Sequence, residues 1–121
     1  MFLSEKQVNE LKVGTSLALE LEAEKGKRKF VHVNSYLKDT EGRHRSVNGQ
    51  RLDDDFILNY GIMIYSVPSE VIENDWDAGE SIKYHYKASD IKSISELEKE
   101  LKLFINDFSL LKPAWYCDDV L

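Results

Sequence analysis

A single cysteine, Cys117, excludes any disulfide within the chain and points to a reducing compartment. No apolar run approaches the roughly 20 residues needed to span a bilayer. The opening "MFLSEKQ" lacks a basic region followed by an apolar core, so it does not read as a secretory signal. The expectation is a cytoplasmic protein with no membrane association. A glycine-rich phosphate loop is also missing, and so is any compact metal-ligand motif. His32, His44, His85 and Cys117 could supply four N/S ligands for zinc, but no two of them lie within five residues of each other. Cys117 has no neighbouring base to make it a nucleophile. The chain therefore reads as a non-enzyme with no cofactor and no metal.

A further absence is segmental. Residues 52–82 contain eight acidic and no basic side chains, a charge of -8, whereas residues 25–51 carry eight basic and two acidic ones, a charge of +6. The net charge of -6 conceals this polarity. Such a chain can pair its two segments with each other or present an acidic face to a basic partner. Overall acidity opposes general nucleic-acid binding, which needs a positive footprint. The clusters "KGKRK" and "RHR" are the places where phosphate or RNA contact is conceivable, with Phe30 and Tyr36 as stacking partners.

What is present is ordinary globular material. With 121 residues, 42% hydrophobic and 31% charged, and with two Trp, six Tyr and five Phe, the chain is sized for one domain (1–121) around one core. "LSEKQVNELKVG" predicts a short N-terminal helix capped by Ser4. Gln7 completes a capping box, Leu3 and Val8 form a hydrophobic staple, and Gly14 is the stop. Period-two alternation from Ser16 to Glu24 and from Phe30 to Leu37 predicts an antiparallel hairpin across "KGKR". "DTEG" reads as a second turn, and Asn48-Gly49 as the turn of a small basic hairpin from Arg43 to Arg51. Phe56 to Tyr65 is apolar on both faces and predicts a central strand, with Gly61 marking a bulge or a close backbone approach.

A further strand is expected from Ser81 to Ala88, with a Lys83-His85-Lys87 row that faces Glu20-Glu22-Glu24 if the two strands are neighbours. Leu97, Leu101, Phe104, Phe108 and Leu111 predict a C-terminal helix from Ser93 or Ser95 to Leu111, about 17 residues and roughly 25 Å long. Together these give an α+β fold: an antiparallel sheet of about four to five strands, the C-terminal helix packed on one face, and a short N-terminal helix.

The candidate contact residues are carboxylates beside aromatic side chains. Asp53, Asp54 and Asp55 precede the central strand; Glu73, Asp75 and Asp77 surround Trp76; Trp115 and Tyr116 precede Asp118 and Asp119. The D-x-D spacing can hold Mg²⁺ near a phosphate, but with no phosphate loop or basic partner beside it the triplet reads better as a charged strand entrance or a partner surface. Trp76 either plugs the sheet from above or anchors an interface, where a tryptophan within a charged rim is a common hot spot.

In general character, through "DDD" at 53–55, "ENDWD" at 73–77, "WYCDD" at 115–119 and its size, the chain resembles the small immunity proteins that bacteria make against contact-dependent and polymorphic toxins. The resemblance implies binding to a basic, nuclease-type toxin and inhibition by occlusion, with no chemistry by this chain. The partner-binding residues are then Asp53, Asp54, Asp55, Glu73, Asp75, Trp76, Asp77, Trp115, Asp118 and Asp119. Two other classes are open: a ligand-binding or enzymatic domain in which His32, Tyr36, His85 and the aspartate triplet converge in a pocket, and an accessory subunit of a homo-oligomer.

Overall fold

A computed structural model describes residues 2–39, 41–45, 47 and 56–121. Its elements are α1 (Glu5–Lys12), β1 (Leu17–Leu21), β2 (Lys27–Asp39), β3 (His44–Arg45), β4 (Phe56–Pro68), α2 (Ser69–Glu73), β5 (Lys83–Ile91), α3 (Ile94–Leu101) and β6 (Lys112–Pro113). The fold is α+β. Its sheet runs β5-β4-β2-β1-β6 with every pairing antiparallel, and the short β3 pairs with the end of β2. No helix among the described residues is long and apolar enough to cross a membrane.

The Ser4 hydroxyl accepts from the Gln7 N–H at 3.1 Å, and the Gln7 side chain accepts from the Ser4 N–H at 2.9 Å, closing the capping box. Gln7 also donates to the carbonyls of Phe108 and Leu111, which ties α1 to the chain entering β6. Gly14 follows with φ +89°, a conformation that a side chain disfavours.

β2 and β4 pair from Lys27↔Pro68 to Asp39↔Phe56, which makes β4 an interior strand between β2 and β5. Gly61 meets the first of its two expectations, and its close neighbour is a side chain rather than a second backbone. The β4–β5 register shifts beside it, and a Cβ there would lie 2.5 Å from Asn34 Oδ1.

The apolar rows of β4 serve two clusters rather than the single core expected. Tyr60, Ile62 and Ile64 join Leu17, Val31, Val33, Leu97, Leu101, Phe108 and Leu111 on one face. Tyr65 and Val67 join Phe30, Val71 and Ala78 on the other, where the rings of Phe30 and Tyr65 stack at 5.5 Å. A strand with bulk on both faces requires cover on both, and α2 supplies part of the second.

Two further expectations are corrected. α3 is capped by Ser93, whose hydroxyl accepts from the Glu96 N–H at 3.1 Å, but it ends at Leu101 instead of running to Leu111. Asp107 takes its own backbone partner, accepting from the Ser109 N–H at 3.0 Å and opening a 3-10 turn at Phe108–Leu110. A short polar side chain that caps locally competes with a continuing helix. Leu97, Leu101, Phe108 and Leu111 of the expected row are buried, but Phe104 is exposed and Ile105, outside that spacing, is buried in its place, because the backbone between them is not one helix.

The second correction concerns the charged rows. β4 and β2 lie between β5 and β1, so Lys83, His85 and Lys87 are not cross-strand partners of Glu20, Glu22 and Glu24. Asp53, Asp54, Asp55 and the Asn48-Gly49 turn lie outside the described residues.

Candidate protein-docking groove

Pro68 ends β4, and α2 runs for five residues with Val71 buried beneath it. The chain then reverses. Asp75 adopts φ +53°, its N–H donates to the Ile72 carbonyl at 3.2 Å, and the Trp76 N–H donates to the Val71 carbonyl at 2.9 Å. Asn and Asp tolerate this left-handed conformation better than most residues. Asp77 accepts from the Gly79 N–H at 3.1 Å, and Ala78 turns inward into the second cluster. Trp76 is left 56% exposed between two exposed carboxylates, outside both clusters. The core-plug reading of Trp76 is thereby excluded.

The opposite wall is the C-terminal segment, held down by polar contacts. Arg28 donates twice to Glu20, at 2.7 and 2.6 Å, and its guanidinium also meets Asp118 at 2.9 Å. Asp119 lies 2.6 Å from His32 Nδ1, accepts from the Tyr65 hydroxyl in a short hydrogen bond, and has a side chain with no exposed surface. The Val120 N–H donates to the Tyr65 oxygen at 2.9 Å. Burial first, then the hydrogen bond to Asp119, raises the Tyr65 phenol well above its ordinary value. Burial also raises the Cys117 thiol, which works against its ionisation.

Between these walls is a groove of about 570 Å³ bordered by Ile72, Asp75, Trp76, Asp77, Ile82 and Asp118. Chain segments some forty residues apart thus contribute to one acidic, aromatic-lipped surface.

The contact residues expected from sequence divide accordingly. Asp75, Trp76, Asp77 and Asp118 meet at the groove. Glu73 is exposed at the end of α2, and Trp115 and Tyr116 are 69% and 71% exposed on the 3-10 turn Ala114–Tyr116, with rings 5.9 Å apart. Asp119 is a correction: its carboxylate is consumed by His32 and Tyr65, so it anchors the tail and offers nothing to a partner. The anchors themselves, Arg28, His32 and Tyr65, were not singled out as a unit, because a strand histidine or tyrosine carries no sign of which distant carboxylate it will meet.

The pocket imagined for His32, Tyr36 and His85 does not form. His32 contacts Asp119, Tyr36 donates to Asp90 at 2.7 Å and stacks on His44, and His85 contacts Ser66 at 2.8 Å. Among the described residues no three of His, Cys, Asp or Glu are grouped to hold a metal ion.

The polarised charge pattern also has an answer within the described residues. The salt bridges of the basic segment run from Lys27 to Glu24, from Arg28 to Glu20 and Asp118, from Lys38 to Asp90, and from Arg43 to Asp39 and Glu41. None of these acceptors belongs to residues 52–82. No protein-family model, curated protein or solved structure matches the chain.

Proposed function

We propose that this chain is a protein-binding protein that docks the basic surface of a partner onto its acidic groove, acting as an immunity protein that occludes a nuclease-type toxin. The observation that carries the reading is Trp76, exposed between Asp75 and Asp77, neither of which has a salt bridge among the described residues. An exposed indole rimmed by unneutralised carboxylates suits a cationic partner. The ring offers area and a face for a guanidinium, while the carboxylates steer encounter and disfavour acidic competitors. Nucleases present such cationic surfaces because they hold phosphates. Glu73, Trp115 and Asp118, which are exposed, and the Asp53, Asp54 and Asp55 triplet, on its charge alone, complete the proposed contact set.

The test is co-expression with the product of the gene immediately upstream, followed by co-purification and a cell-survival assay. A stable complex with a basic toxin domain, survival of cells carrying the wild-type chain, and loss of both with Trp76→Ala support the reading. Survival unaffected by Trp76→Ala combined with Asp75→Lys and Asp77→Lys overturns the groove as the docking site.

A further inference from the structure

A second feature lies on the opposite face of the sheet. Phe30 and Tyr65 are register partners in the second cluster, so the next pair along the strands, Lys29↔Ser66, projects to the first face. Ser66 also pairs with Lys83 on β5, so a buried serine stands between two lysines on adjacent strands. The register shift between Ile64 and Tyr65 adds a residue to β5 at this point, and His85 comes within 2.8 Å of the Ser66 hydroxyl. Lys27, the first residue of β2, completes a recess of about 370 Å³ whose remaining rim includes Glu22 and Glu24.

Charge is poorly balanced here. Lys27 lies 3.9 Å from Glu24 in an exposed pair, and among the described residues neither Lys29 nor Lys83 has a carboxylate within salt-bridge distance. Like charges in one cross-strand row destabilise a sheet, and water screens them only in part. We propose that this recess binds a phosphate-type oxyanion, held by Lys27, Lys29 and Lys83 with the Ser66 hydroxyl as a further donor at its floor. Burial, and after it the ammonium groups of Lys29, Lys83 and Lys27, hold the His85 imidazolium pKa below its ordinary value, against a smaller opposing effect of Glu24. A bound anion offsets that repulsion, so binding takes up a proton on His85 and strengthens as pH falls through the imidazole range. The site is independent of the groove at Trp76 and involves none of its residues. No third group orients the His85 ring among the described residues, so the Ser66–His85 pair serves binding and no acyl-transfer role is assigned to it.

The experiment is an amide and imidazole NMR titration of the full chain with sodium phosphate, sodium sulfate, a nucleoside 5′-monophosphate, and sodium chloride at matched ionic strength. Expected are saturable shifts at Lys29, Ser66, Lys83 and His85 with the oxyanions and not with chloride. Each of Lys29→Gln and Lys83→Gln should weaken binding about tenfold. Tighter binding of the nucleotide than of free phosphate identifies the phosphoryl end of a metabolite as the ligand, and equal binding identifies the free anion. Sulfate, dianionic throughout the range, should raise the His85 titration midpoint. Shifts that follow ionic strength alone, or affinities unchanged in the double glutamine variant with its melting temperature preserved, overturn the proposal.

Discussion

His32 and Asp119 meet with Nδ1 and carboxylate 2.6 Å apart, 87 residues distant in sequence and almost wholly removed from water. Asp119 also accepts from the Tyr65 hydroxyl, so the last turn of chain is riveted to β2 and β4 by one carboxylate. Removing one partner of a buried pair strands the other. Asp119→Ala is expected to cost about 3 to 5 kcal/mol in urea denaturation. The same variant should speed reaction of Cys117 with a thiol reagent, because the segment carrying it loses its anchor. A stability loss under about 1 kcal/mol would show that the rivet carries little of the fold.

Trp76→Ala removes a side chain that packs in neither cluster. Thermal unfolding should therefore move by no more than about 0.5 kcal/mol. Affinity for the proposed partner is expected to fall by about 2 kcal/mol or more. Calorimetry of both processes on one preparation makes the comparison.

Asp75→Asn with Asp77→Asn should slow association and flatten its dependence on salt while leaving dissociation nearly unchanged, since rim charges act on encounter. Stopped-flow measurements at two ionic strengths provide the readout. An unaltered salt slope would assign the steering to other carboxylates.

Gly61→Ala should destabilise by no more than about 1 kcal/mol, because the new methyl group meets only the end of the half-buried Asn34 side chain, which can turn aside. Combining it with Asn34→Ala frees that space and should recover part of the loss. Denaturant unfolding of the single and double variants gives the coupling.

The pH dependence has a sign on each side. Burial works to raise the Asp39 carboxyl, but the Arg43 N–H at 2.7 Å and the Arg43 guanidinium at 2.5 Å outweigh it and hold the pKa below the ordinary value. Asp90 is lowered first by the Tyr36 hydroxyl and then by Lys38. Depressed carboxylates contribute stability above their unfolded value of about 4, and it is lost as pH falls through the folded values. Tyr65 behaves oppositely. Its raised pKa means a contribution present below about 10 that is lost as pH rises toward the folded value. Asp39→Asn should flatten the acid limb of a urea stability profile, and Tyr65→Phe the alkaline limb.

Much of the architecture follows from local patterns. Ser4 and Gln7 mark the start of α1, alternating side chains place β1 and β2, and two apolar faces make β4 an interior strand, because caps and side-chain direction depend on neighbours a few residues away. The concentration of carboxylates around Trp76 is legible for the same reason. Partner choice is not local. Nothing in the alternation of β5 says that β4 and β2 separate it from β1, and nothing in the spacing of Leu97 to Leu111 reveals that Asp107 caps a new turn. The two acidic ends of the candidate surface look alike in sequence, yet Asp119 is buried against His32 while Asp75 and Asp77 stay exposed. Sequence by itself determined which residues are charged or aromatic and most of the apolar rows that face inward, though Phe104 turned outward and Asp119 inward. Only tertiary structure decided which charges neutralise each other, because that depends on which strands pair and where the chain's last residues land.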